Sequence, residues 1–154
     1  MTNEAQSFIS ETTTKSSAEL IEAYMKLPED KQIWKPADTA RTAKNQFSEC
    51  CLINSYIADL IVTQKFPDDL FAKYPDELAR VENLDNESLI AMLKESANAV
   101  NVSIQKVESE ALNQEIDLPW GTMKLSAIMA YPSWNMAYHL GQINYIASIV
   151  ASPE

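Results

Sequence analysis

With 154 residues and a formal net charge of −10, the chain can bury one real core in a single domain. Its acidity opposes phosphate backbones and anionic lipid surfaces, which demand a basic patch, and no cluster of Lys or Arg supplies one, so neither a nucleic-acid nor a membrane partner is expected. Two glycines in the whole chain disfavour hairpins and phosphate-cradling loops, which points to an all-α fold.

Hydrophobic content of 46% and charged content of 22% are those of an ordinary globular protein. Cys50 and Cys51 are adjacent; bridged, they would form only a strained ring that staples nothing, which suits a reducing cytoplasm. The start of the chain has no basic region followed by an apolar run, and no window nears ~18 consecutive apolar residues. Neither a signal peptide nor a membrane span is expected.

The first segment, residues 3–27, carries Phe8, Thr12, Leu20, Ala23, Tyr24 and Leu27 at helical spacing. Thr12, Thr13, Thr14, Ser16 and Ser17 weaken its middle on propensity, so it reads as a surface helix held by its ends rather than one whose polar strip faces a cavity. Pro28 stops it. In the connection over residues 28–38, Trp34 is expected to fold back on the core, since a large indole is costly to leave wet. Asp38 or Thr39 can cap a second helix running to Thr63 or Gln64. Phe47, Cys50, Cys51, Asn54, Ala58 and Ile61 share its apolar face, Ser48 falls on its wet side, and Glu49 sits at the rim, where a carboxylate can reach inward or snorkel out.

Residues 66–85 form a long connection with Pro67 and Pro75, with room for a turn of helix near residues 76–80. Asn86 is the expected cap of a third helix whose stripe, Leu89, Leu93, Ala97, Val100, Ile104, Val107 and Ala111, runs to about Asn113. Residues 116–123 break the periodicity. Residues 125–130 are a helical lead-in that Tyr131-Pro132 ends or kinks, and a last helix follows to about Ala151. Four amphipathic segments with no strand pattern imply a four-helix bundle with long crossover connections, one domain over residues 1–154.

The last helix carries an anomaly. At about 100° per residue, Asn135, His139 and Gln142 lie within roughly 60° of one another, on the apolar face flanked by Tyr138, Ile143, Tyr145, Ile146 and Ile149. The opposite face holds Ser133, Ala137, Asn144 and Ser148. Buried polar groups cost free energy unless paired. His139 is the one histidine of the chain, so a multi-histidine zinc site is excluded by counting. Cys50, Cys51 and His139 could meet if their helices pack together, and a nucleophilic thiol would need its pKa lowered by such a partner.

The stretch containing Trp134, Tyr138, His139, Gly141, Gln142 and Ile143 resembles the last-helix signature of the DinB-like superfamily, in which a tryptophan or leucine precedes His-x-x-x-His and x-Gly-Gln-Ile follows. Leu27-Pro28-Glu29-Asp30-Lys31 with Trp34-Lys35-Pro36 resembles that family's first loop, and Leu118-Pro119-Trp120-Gly121 the turn before its last helix. Residues 40–54 match its alanine-rich approach to a first ligand with an asparagine five residues later. The family's three-histidine site for a divalent metal, nickel or zinc among them, would by that resemblance fall on Glu49, Asn135 and His139. Two of the three depart from histidine, and a neutral amide is a poor substitute for imidazole. The competing arrangement is a metal-free hydrogen-bonded cluster of Glu49, His139, Asn135 and Gln142, with Asn54, Tyr138 and Gln142 lining the pocket.

The resemblance thus implies a DinB-like bundle of unassigned, stress-related function, with a polar pocket at a degenerate metal site and a small-molecule ligand; the aromatic and apolar breadth of the second and fourth helices leaves surface for a partner, and a homodimer is expected. The alternative is a metal-dependent enzyme of the thiol S-transferase type, its metal lowering the pKa of a low-molecular-weight thiol. A thiol protein using Cys50 or Cys51 stands third.

Overall fold

In the computed structural model, which describes residues 3–151, four long helices form the bundle: α1 (Glu4–Lys26), α3 (Ala43–Thr63), α5 (Asn86–Gln105) and α6 (Leu125–Val150). Between them lie α2 (Glu29–Gln32), α4 (Leu70–Glu82), a 3-10 turn (Ser109–Asn113) and an antiparallel hairpin of β1 (Glu115–Leu118) with β2 (Gly121–Lys124). α3 packs mainly on α5 and α6, and α1 mainly on α6 and α5. The consecutive helices α1 and α3 are therefore diagonal neighbours, which is why the connection between them must cross an end of the bundle.

Local chemistry explains the helix starts. Asn3 and Gln6 form a reciprocal capping box on α1. The Gln6 amide also donates to the Ile104 and Val107 carbonyls at 2.9 and 2.8 Å, which closes the open end of α5. The cap of α3 is Thr42, whose hydroxyl accepts from the Asn45 N–H at 3.0 Å. It lies later than the expected Asp38 or Thr39, because a turn joining Ala37 and Ala40 comes first. Asp85 rather than Asn86 caps α5. That helix stops at Gln105, and the stretch to Asn113 tightens into the 3-10 turn.

Three further expectations are corrected. The connection after α3 holds a full helix, α4, with Pro75 on its exposed side and Tyr74, Leu78 and Val81 turned inward. Residues 115–124 pair as a hairpin, for which one glycine suffices: Gly121 takes φ +129°, a conformation other residues rarely adopt. Pro132 does not end α6, which continues from Leu125 to Val150; the ring removes one N–H from the ladder, and the neighbouring Ser133 hydroxyl donates to the Ala130 carbonyl at 2.9 Å.

The core has two parts. One gathers Leu20, Tyr24, Phe47, Cys51, Leu89 and Ile143, with Trp34 folded against it as expected. The other gathers Ile61, Val100, Ile104, Ile116, Leu125 and Ile128. Phe8, placed on the apolar stripe by spacing, is instead 68% exposed. Thr13, Ser16, Ser17, Ser48 and Ser133 are buried, against the expectation of wet faces for α1, Ser48 and Ser133.

Candidate functional site

Glu49 leaves α3 toward α6, where His139 is only 2% exposed. Their contact is direct, with Glu49 Oε1 2.9 Å from His139 Nε2. The second carboxylate oxygen is held by the Arg41 guanidinium at 2.5 Å. Arg41 sits just before the α3 cap and also donates from Nε to the Asn45 amide oxygen at 2.6 Å, which fixes its plane. On the other side of the ring, His139 Nδ1 lies 3.0 Å from the amide oxygens of both Gln46 and Gln142.

A neutral imidazole carries one N–H and can donate to one side only. Ionised Glu49 only accepts, so Nε2 carries the N–H toward it, and the single Nδ1 lone pair of the neutral ring takes one NH2, from Gln46 or Gln142 with its amide turned. The cluster is therefore satisfied by its own side chains. Burial alone would raise the Glu49 pKa, but the His139 hydrogen bond and the Arg41 charge outweigh it and hold the carboxyl below its ordinary 4.5.

The sign of the linkage follows from that depression. Between 4.5 and the lower folded value, the unfolded chain takes up the proton first, so acidification favours unfolding. Ionised Glu49 contributes stability above its unfolded pKa and loses it as the pH falls through the folded one. A Glu49→Gln variant is expected to be less stable than the parent at neutral pH by about 1.5–3 kcal/mol, the range for hydrogen bonds to charged groups. That gap should narrow as the pH falls below 4.5 in urea titrations at graded pH. A gap independent of pH would separate Glu49 from the acid limb.

Of the residues expected at the site, Glu49, His139 and Gln142 come together. Asn135, 2% exposed, points its amide at the Cys50 sulfur at 3.8 Å and is not hydrogen-bonded to Glu49 or His139. Asn54 lies deeper, its amide on the Met136 sulfur at 3.5 Å and its carbonyl oxygen without a partner among the described residues. Tyr138 is outside the core at 53% exposure, stacked on Trp134 at 5.5 Å and edge-on to the His139 ring. Tyr145 and Ile149 are exposed as well, so the expected apolar flank of α6 is half surface. Arg41 and Gln46 were missed by sequence reasoning. Gln46 was findable, three residues before Glu49 on the same helical face; Arg41 lies outside the helix, where helical angles carry no information.

Both cysteines are buried. Cys50 meets Asn135 rather than His139, and the Cys51 thiol donates weakly to the Leu89 carbonyl at 3.7 Å. Burial pushes the Cys50 thiol well above its ordinary value and the Cys51 thiol up to about 12. Both are poor nucleophiles in this setting.

Among the described residues, no three His, Cys, Asp or Glu side chains gather as metal ligands. The set Glu49, Asn135 and His139 does not fit a divalent ion as it stands. Asn135 brings a neutral amide, a weak donor for a transition metal, and Arg41 already neutralises the one carboxylate. Space opens on both sides of the cluster. A shallow groove runs past Arg41, Gln46, Tyr138 and Gln142. Opposite it, Tyr74 and Tyr131 separate Glu49 from a cavity of about 310 Å3. Burial first, then the negative charge of Glu49, raises the pKa of both phenols.

No protein-family model matches the chain, and no curated protein matches it in sequence. Solved structures do match. YfiT from Bacillus subtilis, described as a probable metal-dependent hydrolase with an unusual four-helix bundle topology, superposes with a TM-score of 0.75 at 13% identity, over 99% of this chain and 91% of that one. A DinB-like protein from Bacillus subtilis, YjoA, gives 0.67 at 17% identity, over 95% and 94%. A mycothiol-dependent maleylpyruvate isomerase gives 0.69 at 10% identity; the match covers 90% of this chain but 60% of the isomerase. No helix among the described residues is long and apolar enough to cross a membrane. The chain has the DinB-like four-helix-bundle fold.

Proposed function

We propose that this chain is a metal-independent binding protein built on the DinB-like bundle, with a self-satisfied polar cluster at the position where the family resemblance would put an ion. One observation carries the reading: both Glu49 carboxylate oxygens are engaged, one by Arg41 at 2.5 Å and the other by His139 at 2.9 Å. A dication entering here must displace or face a guanidinium, and at about 4 Å a +2 and a +1 charge repel by about 8 kcal/mol at an effective dielectric of 20, twice the figure for two unit charges. In return it gains an amide in place of an imidazole. The cluster instead fixes the facing surfaces of α3 and α6 between a groove and an apolar cavity, an arrangement suited to holding a small molecule.

The second reading is a metal-dependent enzyme of the thiol S-transferase type. It is favoured by the position of Asn135 and His139, one turn apart on α6, with Glu49 reaching His139 from α3, and by the descriptions of YfiT and the isomerase. Thermal melts separate the two. With zinc or nickel in excess, and again with a chelator, the first reading expects an unchanged midpoint. An ion at a hundred times its Kd would stabilise the fold by about 2.7 kcal/mol, and a rise of that size would favour the second reading.

A further inference from the structure

The two segments that a bare four-helix bundle does not need, α4 and the hairpin, meet across α3 and α6. Their contact is aromatic: the ring centroids of Phe71 and Trp120 lie 6.3 Å apart, and Phe66, from the connection before α4, lies 5.4 Å from Phe71 and 5.3 Å from Trp120, the latter edge-on. These rings pack on one another and roof the cavity instead of filling it, and Phe71 and Trp120 remain 63% and 62% exposed. Ile53, Ile57 and Leu60 of α3 and Ile128 of α6 form the floor. Among the described residues no charged side chain lines the space, in a chain whose net charge is −10. The Tyr56 hydroxyl at its edge is already spent, donating to Glu77 of α4.

We infer that this cavity is the binding site for a neutral aromatic small molecule of about two rings. Its 310 Å3 is roughly twice the size of an apolar cavity known to stay dry and accept benzene, about 150 Å3. An apolar occupant restores the dispersion contacts its walls lack. Six aromatic side chains, Tyr56, Phe66, Phe71, Tyr74, Trp120 and Tyr131, line it, and each offset or edge-on ring pair adds about 0.5–1.5 kcal/mol beyond buried area. A charged ligand would have no counter-charge in the lining. The inference rests on the binding-protein reading for its biological purpose, while its geometry does not depend on whether an ion sits at Glu49.

The probe is N-phenyl-1-naphthylamine, neutral and fluorescent when removed from water, titrated into the full chain. The expected result is saturable binding at about one site per chain with a Kd on the order of micromolar. Ile57→Trp, which fills the floor, should weaken it at least tenfold while helical circular dichroism is retained. Should that variant fail to fold, Phe71→Ala removes a roof ring that is mostly exposed and should weaken binding as well. His139→Ala should leave the Kd within about twofold, since His139 is not among the residues that line the cavity. No saturable binding, or binding lost in His139→Ala but kept in Ile57→Trp, overturns the inference, and neither result bears on the metal-independent reading. Stabilisation by zinc with probe binding intact would overturn that reading and leave this one standing.

Discussion

A chain carrying Asn135→His together with Arg41→Ala is expected to take up zinc or nickel to about one ion per chain, with apparent affinity at least a hundredfold above the parent, about 2.8 kcal/mol. The two changes act on the two defects of the site. An imidazole at position 135 stands one turn from His139 on the buried face of α6, which supplies two nitrogen donors of the kind zinc prefers. Removing Arg41 frees the second oxygen of Glu49, now held at 2.5 Å, and withdraws the positive charge that opposes a dication. Asn135→His alone should fall between parent and double variant, because the guanidinium stays. Equilibrium dialysis followed by elemental analysis measures all three. If the double variant holds only traces, then Glu49 and the two α6 positions do not converge on one point.

Phe47→Ala is expected to cost about 3–5 kcal/mol, the usual range for a fully buried phenylalanine and a large part of the 5–15 kcal/mol that holds a typical domain together. Phe47 has no exposed surface, and its ring lies 4.6 Å from that of Tyr24. Tyr24 in turn donates to the Asn86 side chain at 3.0 Å, and the Asn86 amide donates to Gln32 at 2.9 Å. The cavity left by the variant would thus loosen the junction of α1, α2, α3 and α5, and with it the turn of α3 that presents Gln46 and Glu49. Urea unfolding should show the loss as a lower midpoint with the slope kept. Val62→Ala, at a position 59% exposed on the same helix, should stay within about 0.5 kcal/mol. A Phe47→Ala loss under about 1 kcal/mol would contradict the burial of this ring in a close-packed core.

The four long helices were legible because periodicity records burial, and α3, α5 and α6 each bury one continuous face. Where the reading failed, one residue type carried two meanings. Pro75 and Pro132 signal breaks when read locally, yet one lies on the outer side of α4 and the other is absorbed within α6. Scarce glycine argued against a hairpin, but β1 and β2 need it only at Gly121. Tyr138 and Tyr145 count as apolar in any periodicity, while in the fold both border the groove beside Gln142 and stay exposed. Serines count as polar, though Ser48 and Ser133 are buried.

The site divides along the same line. Glu49, His139 and Gln142 could be brought together by helical angle and resemblance. Arg41 could not, because its role depends on how the turn before Thr42 folds back over α3. Its presence changes the chemistry more than any other residue, since it turns a candidate ligand into half of an ion pair.

The most direct test is the metal content of untagged protein, grown with zinc or nickel and dialysed against buffer free of both. Occupancy under about 0.1 ion per chain, the same in parent and His139→Ala, is the expected result for a cluster that satisfies itself. About one ion per chain in the parent, lost in His139→Ala, would contradict it.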